Sequence, residues 1–165
     1  QLSTGDLLRN EIKNQTELGK KISLIMNKGD LVSDDIVSSL IEKFISNKIY
    51  KNKIIFDGYP RNLNQAKNLD ILLKKHDQKI DIVLKLSVSL ETIKKRILER
   101  RAQEGREDDN EEIAIKRFMT YEKSSKPIID YYDQSNLLKV VNGETGISEI
   151  NLEISGLIDA IKGWL

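Results

Sequence analysis

An α/β fold built on a mainly parallel sheet is what this sequence predicts, and three apolar runs carry the prediction. Ile54-Ile55-Phe56, Ile82 to Val88 and Leu137 to Val141 have the length of strands, and segments of helical periodicity fill the intervals between them. The first run ends in Asp57-Gly58-Tyr59-Pro60-Arg61. Gly-Tyr-Pro can neither continue a strand nor begin a helix interior. A carboxylate therefore closes a strand expected to be buried on both faces, and a guanidinium follows just past a rigid turn. In open α/β sheets that edge is where ligands bind.

Taken in order, residues 3 to 14 open on a Ser-Thr-Gly-Asp cluster and run into a helix carrying Leu7, Leu8 and Ile12. A helix over 16 to 27 sets Leu18, Ile22, Ile25 and Met26 on one face. Gly29 suits the left-handed position that ends it. Ser33 is the expected N-cap of a helix reaching about Asn47, with Asp34 and Asp35 favourably placed in its first turn. Its stripe is Ile36, Val37, Leu40, Ile41, Phe44 and Ile45, and together these helices form a small lobe over residues 3–47. A strand at 53–57 follows, then a helix to about His76 packed through Ala66, Leu69, Leu72 and Leu73. After the second strand, Ser89 caps a helix with Leu90, Ile93 and Ile97 inside and with Arg96 and Arg100 sharing one face. A polar loop over 102–110 leads to a long helix from about 111 to 133, which Pro127 is expected to kink. The third strand closes at Asn142-Gly143, and an amphipathic helix runs from 147 to 165.

A chain of 165 residues fits one domain, and 39% apolar with 32% charged residues leaves enough for a core without a disorder signature. The net charge of +1 argues against a nucleic-acid or membrane surface, so any phosphate chemistry must come from local arginine placement. With no cysteine there are no disulfides or thiolate metal sites. No apolar run is long enough to span a bilayer and no signal peptide is read, so the expected location is the cytoplasm.

Arg9, Arg61, Arg96, Arg100, Arg106 and Arg117 lie where a helix face or turn could aim them at one cleft. A guanidinium suits phosphate because its planar fork makes two parallel charge-assisted hydrogen bonds. Lys94 and Lys95 read as a solvated helix face, His76 as a solvated side chain, and Tyr131, Tyr132 and Trp164 as packing residues.

Three blocks, Ser3-Thr4-Gly5-Asp6-Leu7-Leu8-Arg9, Phe56-Asp57-Gly58-Tyr59-Pro60-Arg61 and Gly105-Arg106-Glu107-Asp108-Asp109, resemble those of the adenylate kinase family, in its order and over essentially the whole chain. The resemblance implies a nucleoside monophosphate kinase with a P-loop NTPase-like parallel sheet of order 2-3-1-4-5 flanked by helices. It implies that Arg9 and Arg61 grip the phosphate of AMP, that Thr4 and the main chain near Leu31 and Val32 hold its ribose and base, that Gln65 reads the adenine edge, and that Gly58 belongs to the same AMP-binding set. Arg96, Arg100 and Gly143 would lie on the ATP side, with Arg106 and Arg117 neutralising the phosphoryl group in flight. Asp57 would orient Mg2+ through its water shell. The catalytic set so implied is Arg61, Arg96, Arg106, Arg117 and Asp57, acting on AMP, ATP and ADP in a monomer. The interval between Arg100 and Arg106 has no room for an extra domain, so the lid is the short form.

Relatives that phosphorylate UMP and CMP typically carry Ala where Thr4 stands and Asn where Gln65 stands, so these two residues favour AMP, with a UMP/CMP kinase as the alternative. The family's Gly-x-x-x-x-Gly-Lys loop occurs nowhere in the 165 residues, and the first residue is Gln1 rather than Met. The expectation is therefore a chain without the central first strand and most of the donor phosphate site. It is either a truncated kinase or a non-catalytic AMP-binding remnant, and retention of Arg96, Arg106 and Arg117 favours truncation.

Overall fold

The computed structural model describes residues 1–28, 30, 32–104 and 110–162. The expected helix cap at Gly29, the base-holding main chain at Leu31, the loop carrying Arg106, and Trp164 lie outside the described residues.

Strand β1 (Leu2–Ser3) leads into α1 (Thr4–Lys13), α2 (Glu17–Met26) and α3 (Asp34–Ile45). After a 3-10 turn at Lys48–Tyr50 come β2 (Phe56–Asp57), α4 (Leu63–Lys75), β3 (Val83–Ser87), α5 (Leu90–Glu104), α6 (Glu111–Asp133), β4 (Leu138–Asn142) and α7 (Ile147–Lys162). The helix starts follow local chemistry. Ser3, Thr16, Asn62 and Asn110 each accept from a backbone N–H in the first turn of the helix they precede. Ser33 occupies the cap position of α3 but makes no such bond, leaving Asp34 and Asp35 to favour that end. Helix α6 continues through Pro127 to Asp133 as one helix.

Among the described residues all strand pairing is parallel, in two separate two-stranded sheets. β1 pairs with β2, setting Leu2 opposite Phe56 and Ser3 opposite Asp57. β3 pairs with β4 from Val83 opposite Leu138 to Ser87 opposite Asn142. No ladder joins β2 to β3 among the described residues. The strand expected over 53–57 is accordingly short, and it is not buried on both faces, since Ile55 is 61% exposed. The reason is that, among the described residues, β2 is paired on one side only, along a partner two residues long.

The main core sits in the first half of the chain. Leu2, Leu8, Ile22, Val37, Ile41, Ile45, Leu69 and Leu73 form one buried cluster from β1 and α1 through α4. The predicted stripes of α2 and α3 supply its centre, with Ile22 and Ile41 fully enclosed. Gly19 lets α2 approach α1: a Cβ there would lie 2.1 Å from the Glu11 carbonyl oxygen. In the second half the apolar contribution is thinner, with Val141, Ala114 and Tyr132 buried but Leu86 and Val140 about half exposed (46% and 58%).

Two readings of single residues change. His76 is half-buried rather than solvated, and its Nε2 is enclosed without a hydrogen-bond partner. Lys94 is not merely solvated either, because it reaches Glu111 at 2.8 Å and ties α5 to α6. Tyr131 and Tyr132 do pack, edge to face at 5.1 Å, and Tyr131 donates to Asp70 at 2.7 Å. Burial first, then the Asp70 charge, pushes the Tyr132 phenol far above its ordinary value.

Glu144, just past β4, closes the start of α5. Its carboxylate accepts from the Thr92 hydroxyl and from the Ser89 backbone N–H, and those two bonds hold it below the ordinary 4.5. Because the folded-state value lies below the unfolded one, this stabilisation is complete above the unfolded value and fades as pH falls through the folded one. Glu144→Gln is therefore expected to melt below the parent at neutral pH and level with it once pH has fallen below the folded-state value of the carboxyl. Thermal melts across that range check it, and a gap independent of pH would remove the carboxylate from the account.

Candidate functional site

The parallel register of β1 and β2 is what assembles the site. It sets Ser3 beside Asp57, so the turns leaving both strands, Thr4-Gly5 and Gly58-Tyr59, emerge at the same carboxyl edge. Thr4 is buried, and its hydroxyl donates toward the Gly58 carbonyl at 3.1 Å, with the Asp57 carbonyl at 3.4 Å. Gly58 has φ +69°, a conformation that side chains other than glycine disfavour. It also leaves room for its neighbours, since a Cβ there would meet Arg61 Nη2 at 3.1 Å and Thr4 Oγ1 at 3.3 Å.

Arg61 folds back over this turn, its Nε donating to the Gly58 carbonyl at 2.8 Å. The side chain keeps solvent contact, yet its guanidinium is held below its ordinary value. Desolvation is the first cause; the positive charges of Arg117 and Arg9 add to it, and Asp57 opposes them. Arg61 thus feels two other guanidinium groups and the Asp57 carboxylate. Arg9 reaches this place from α1, lying over Gly5 and pairing with Asp6 in the same helix. Arg117 comes from α6. A like-charged cluster of this kind is a field prepared for an anion.

Beside it is a narrow cavity lined by Leu8, Val32, Val37 and Tyr59 as apolar walls and by Thr4, Gly58, Arg61 and Gln65 as the polar part. Tyr59 braces one side, its ring 6.5 Å from Phe56 and its hydroxyl within 3.4 Å of the Gln65 carbonyl. Gln65 is buried in the first turn of α4. Its Oε1 accepts from the Arg61 backbone N–H at 2.7 Å, and its Nε2 donates to Asp34 Oδ1 at 2.7 Å. Asn62, the α4 cap, donates to both oxygens of Asp34 at 3.0 and 3.1 Å. The cavity is small, about 30 Å³, and brings one amide and apolar walls to a place next to the guanidinium groups.

The other expected residues fall at the second sheet. Arg96 Nη2 donates to the Gly143 carbonyl at 2.7 Å and is 3.4 Å from that of Thr145, joining α5 to the carboxyl end of β4. Arg100, half-buried, is one turn further along α5. So the structure gathers Arg9, Arg61 and Arg117 with Asp57, while Arg96 and Gly143 meet each other at the end of β4. Asp57 itself is exposed and accepts from the Gln1 side-chain amide at 2.7 Å. A wider polar cleft between the end of α2 and the start of α6 is bridged by Lys116 to Asp30 at 2.7 Å. Among the described residues its lining includes no arginine and one apolar side chain, Ile113.

Asp34 and Asn62 were not singled out as site residues by sequence reasoning. Asn62 had a local signal, an Asn three residues before Gln65 at a helix start. Asp34 had none, because its link to Gln65 spans 31 residues.

Comparison with known proteins gives one family and many relatives. A family model described as adenylate kinase matches residues 1–137. An adenylate kinase of Porphyromonas gingivalis is 41% identical over 161 residues, covering 98% of this chain and 83% of its own. One from Prochlorococcus marinus is 43% identical over 153 residues, with 93% and 81% covered. One from Xanthomonas campestris pv. campestris is 43% identical over 149 residues, with 90% and 80% covered.

Proposed function

The chain belongs to the adenylate kinase family, whose members are nucleoside monophosphate kinases, and from that premise we propose that it serves reversible phosphoryl transfer from MgATP to AMP, giving two ADP and balancing the adenine nucleotides. The observation that carries this reading is the cavity walled by Leu8, Val32, Val37 and Tyr59, with the Gln65 amide lining it and the Arg9, Arg61 and Arg117 cluster beside it.

In this reading AMP enters with its base against the apolar walls and the Gln65 amide, its ribose near Thr4 and Gly58, and its phosphate on Arg9 and Arg61. The amide suits an adenine edge because it can both donate and accept. Arg117, with Arg106, answers the charge that spreads over the phosphoryl group between the nucleotides. Phosphoryl transfer asks a protein for positioning and charge neutralisation more than for covalent chemistry. Arg96, Arg100 and Gly143 serve the ATP side. Residues 3–47 act as the AMP-binding lobe and 102–110 as a short lid within one domain spanning 1–165.

Asp57 fits the metal. Among the described residues no group of three or more His, Cys, Asp or Glu makes a cage. A lone exposed carboxylate suits Mg2+, which keeps several waters and binds largely through substrate phosphates. When bound it supplies charge neutralisation to the phosphates. Among the described residues β2 and β3 each have one unpaired edge, which is compatible with a further parallel strand between the two sheets, as the family order 2-3-1-4-5 would have it. No described helix is long and apolar enough to cross a membrane. The reading carries with it a cytoplasmic monomer whose partners are nucleotides, not nucleic acid.

The test is a comparison of AMP, UMP and CMP by titration calorimetry on the 165-residue chain, with a coupled assay for ADP formation from ATP. AMP is expected to bind best, and ADP formation to be negligible, because the 165 residues hold no Gly-x-x-x-x-Gly-Lys loop to cradle donor phosphates. Preference for UMP or CMP would move the reading to a pyrimidine nucleotide kinase. Robust turnover by these residues alone would mean the donor phosphates are held in another way.

A further inference from the structure

A primary amide offers two N–H donors and two oxygen lone pairs. Gln65, 3% exposed, commits one donor to Asp34 Oδ1 and one lone pair to the Arg61 backbone N–H, both at 2.7 Å. One N–H and one lone pair are left for a ligand. Neither protein partner tolerates an inverted amide. A backbone N–H only donates, and an inverted Gln65 would turn its NH2 against that N–H and its oxygen against a carboxylate. Asp34 is itself fixed, since both its oxygens accept from Asn62 Nδ2.

We propose that Asp34 is a positioning residue for base selection: by accepting from Gln65 it joins the Arg61 backbone N–H in fixing which end of the free amide edge donates and which accepts. An edge of fixed polarity distinguishes two purines of nearly equal shape. A 6-aminopurine presents a donor at N6 beside an acceptor at N1, whereas a 6-oxopurine presents an acceptor at O6 beside a donor at N1. An amide that could turn over would serve both; held by Asp34, it serves the 6-aminopurine. This rests on the reading of the cavity as the AMP site and adds to it the group that enforces the choice. Its logic is that of any buried polar site, where the wrong ligand leaves a donor facing a donor.

The test measures dissociation constants for AMP and IMP by calorimetry on the 165-residue chain, alongside circular dichroism melts. The parent is expected to prefer AMP by about tenfold or more. Asp34→Asn introduces an amide that can donate to Gln65 Oε1 and so removes one of the two groups that oppose inversion, the Arg61 backbone N–H being the other. It is expected to lower that preference severalfold, largely by gaining IMP, while Asp34→Glu, which still only accepts, retains it. A folded Asp34→Asn protein with the parental AMP:IMP ratio, or with both affinities reduced equally, overturns the proposal and leaves Asp34 a structural residue. If Asp34→Asn does not fold, the parent and Asp34→Glu decide: equal affinity of the parent for AMP and IMP, or loss of preference in Asp34→Glu, overturns it. AMP bound without preference sinks this inference alone, whereas failure of the parent to bind either nucleotide removes the AMP site beneath it.

Discussion

Arg61→Ala is expected to weaken AMP binding by about tenfold to a hundredfold while leaving the fold standing or slightly firmer. The binding loss follows from removing a guanidinium whose planar fork can pair with phosphate oxygens, and a charge-assisted bond of that kind contributes about 1.5–3 kcal/mol. The stability side follows from its surroundings. Arg61 sits under the charges of Arg9 and Arg117, against a single opposing carboxylate, Asp57. Within the described residues its side chain donates to the Gly58 carbonyl. Removing it relieves repulsion more than it removes cohesion, and such opposition between stability and function is what a binding cluster produces. Calorimetric titration with AMP and thermal melts of the same samples check both halves. Affinity close to the parent's would take the phosphate from Arg61. Lost binding together with a lowered melting temperature would make Arg61 a structural residue of the turn at Gly58.

The largest expected effect on the fold is at Gly19. A Cβ there would lie 2.1 Å from the Glu11 carbonyl oxygen, 2.6 Å from its carbon and 2.9 Å from the Ile12 nitrogen. All three are backbone atoms, so no side chain can turn aside to make room. The α1 and α2 helices must separate, which loosens the packing around Ile22, one of the fully enclosed side chains of the core. Gly19→Ala is expected to cost about 1–3 kcal/mol or more, despite alanine's better helix propensity. In a domain of this size that lowers the melting temperature by several degrees at least. Because Leu8 and Thr4 on α1 line the cavity, AMP affinity should fall as well. A melting temperature equal to the parent's would show that the two helices can part without loss.

Much of the element plan could be read from residue order, because it depends on neighbours. The stripes of α2 and α3 and the acidic first turn of α3 need only spacing along one helix. So did the placing of Asp57 at a strand end and Arg61 past the turn, since Gly58 and Pro60 force a break there. The length of β2 was not legible, because a strand is as long as its partner allows and β1 pairs through two residues. His76 was misread for a similar reason: position near a helix end does not reveal what other elements fold over it. The adenylate kinase likeness, carried by three short blocks, was likewise visible in the sequence and agrees with the family match.

By itself, then, the order of residues determined which segments are helix and strand, where the carboxyl edge of the sheet lies, and which side chains could meet a phosphate. Convergence was decided in three dimensions. The parallel register of β1 and β2 brings Thr4 to Gly58 across more than fifty residues, and the packing of α6 brings Arg117 to Arg61. The pairing of Asp34 with Gln65 was decided there too, since α3 and α4 must pack before the carboxylate can face the amide. Local preferences act over a turn or two of chain, whereas a binding site is made of groups whose only common property is the point in space they share.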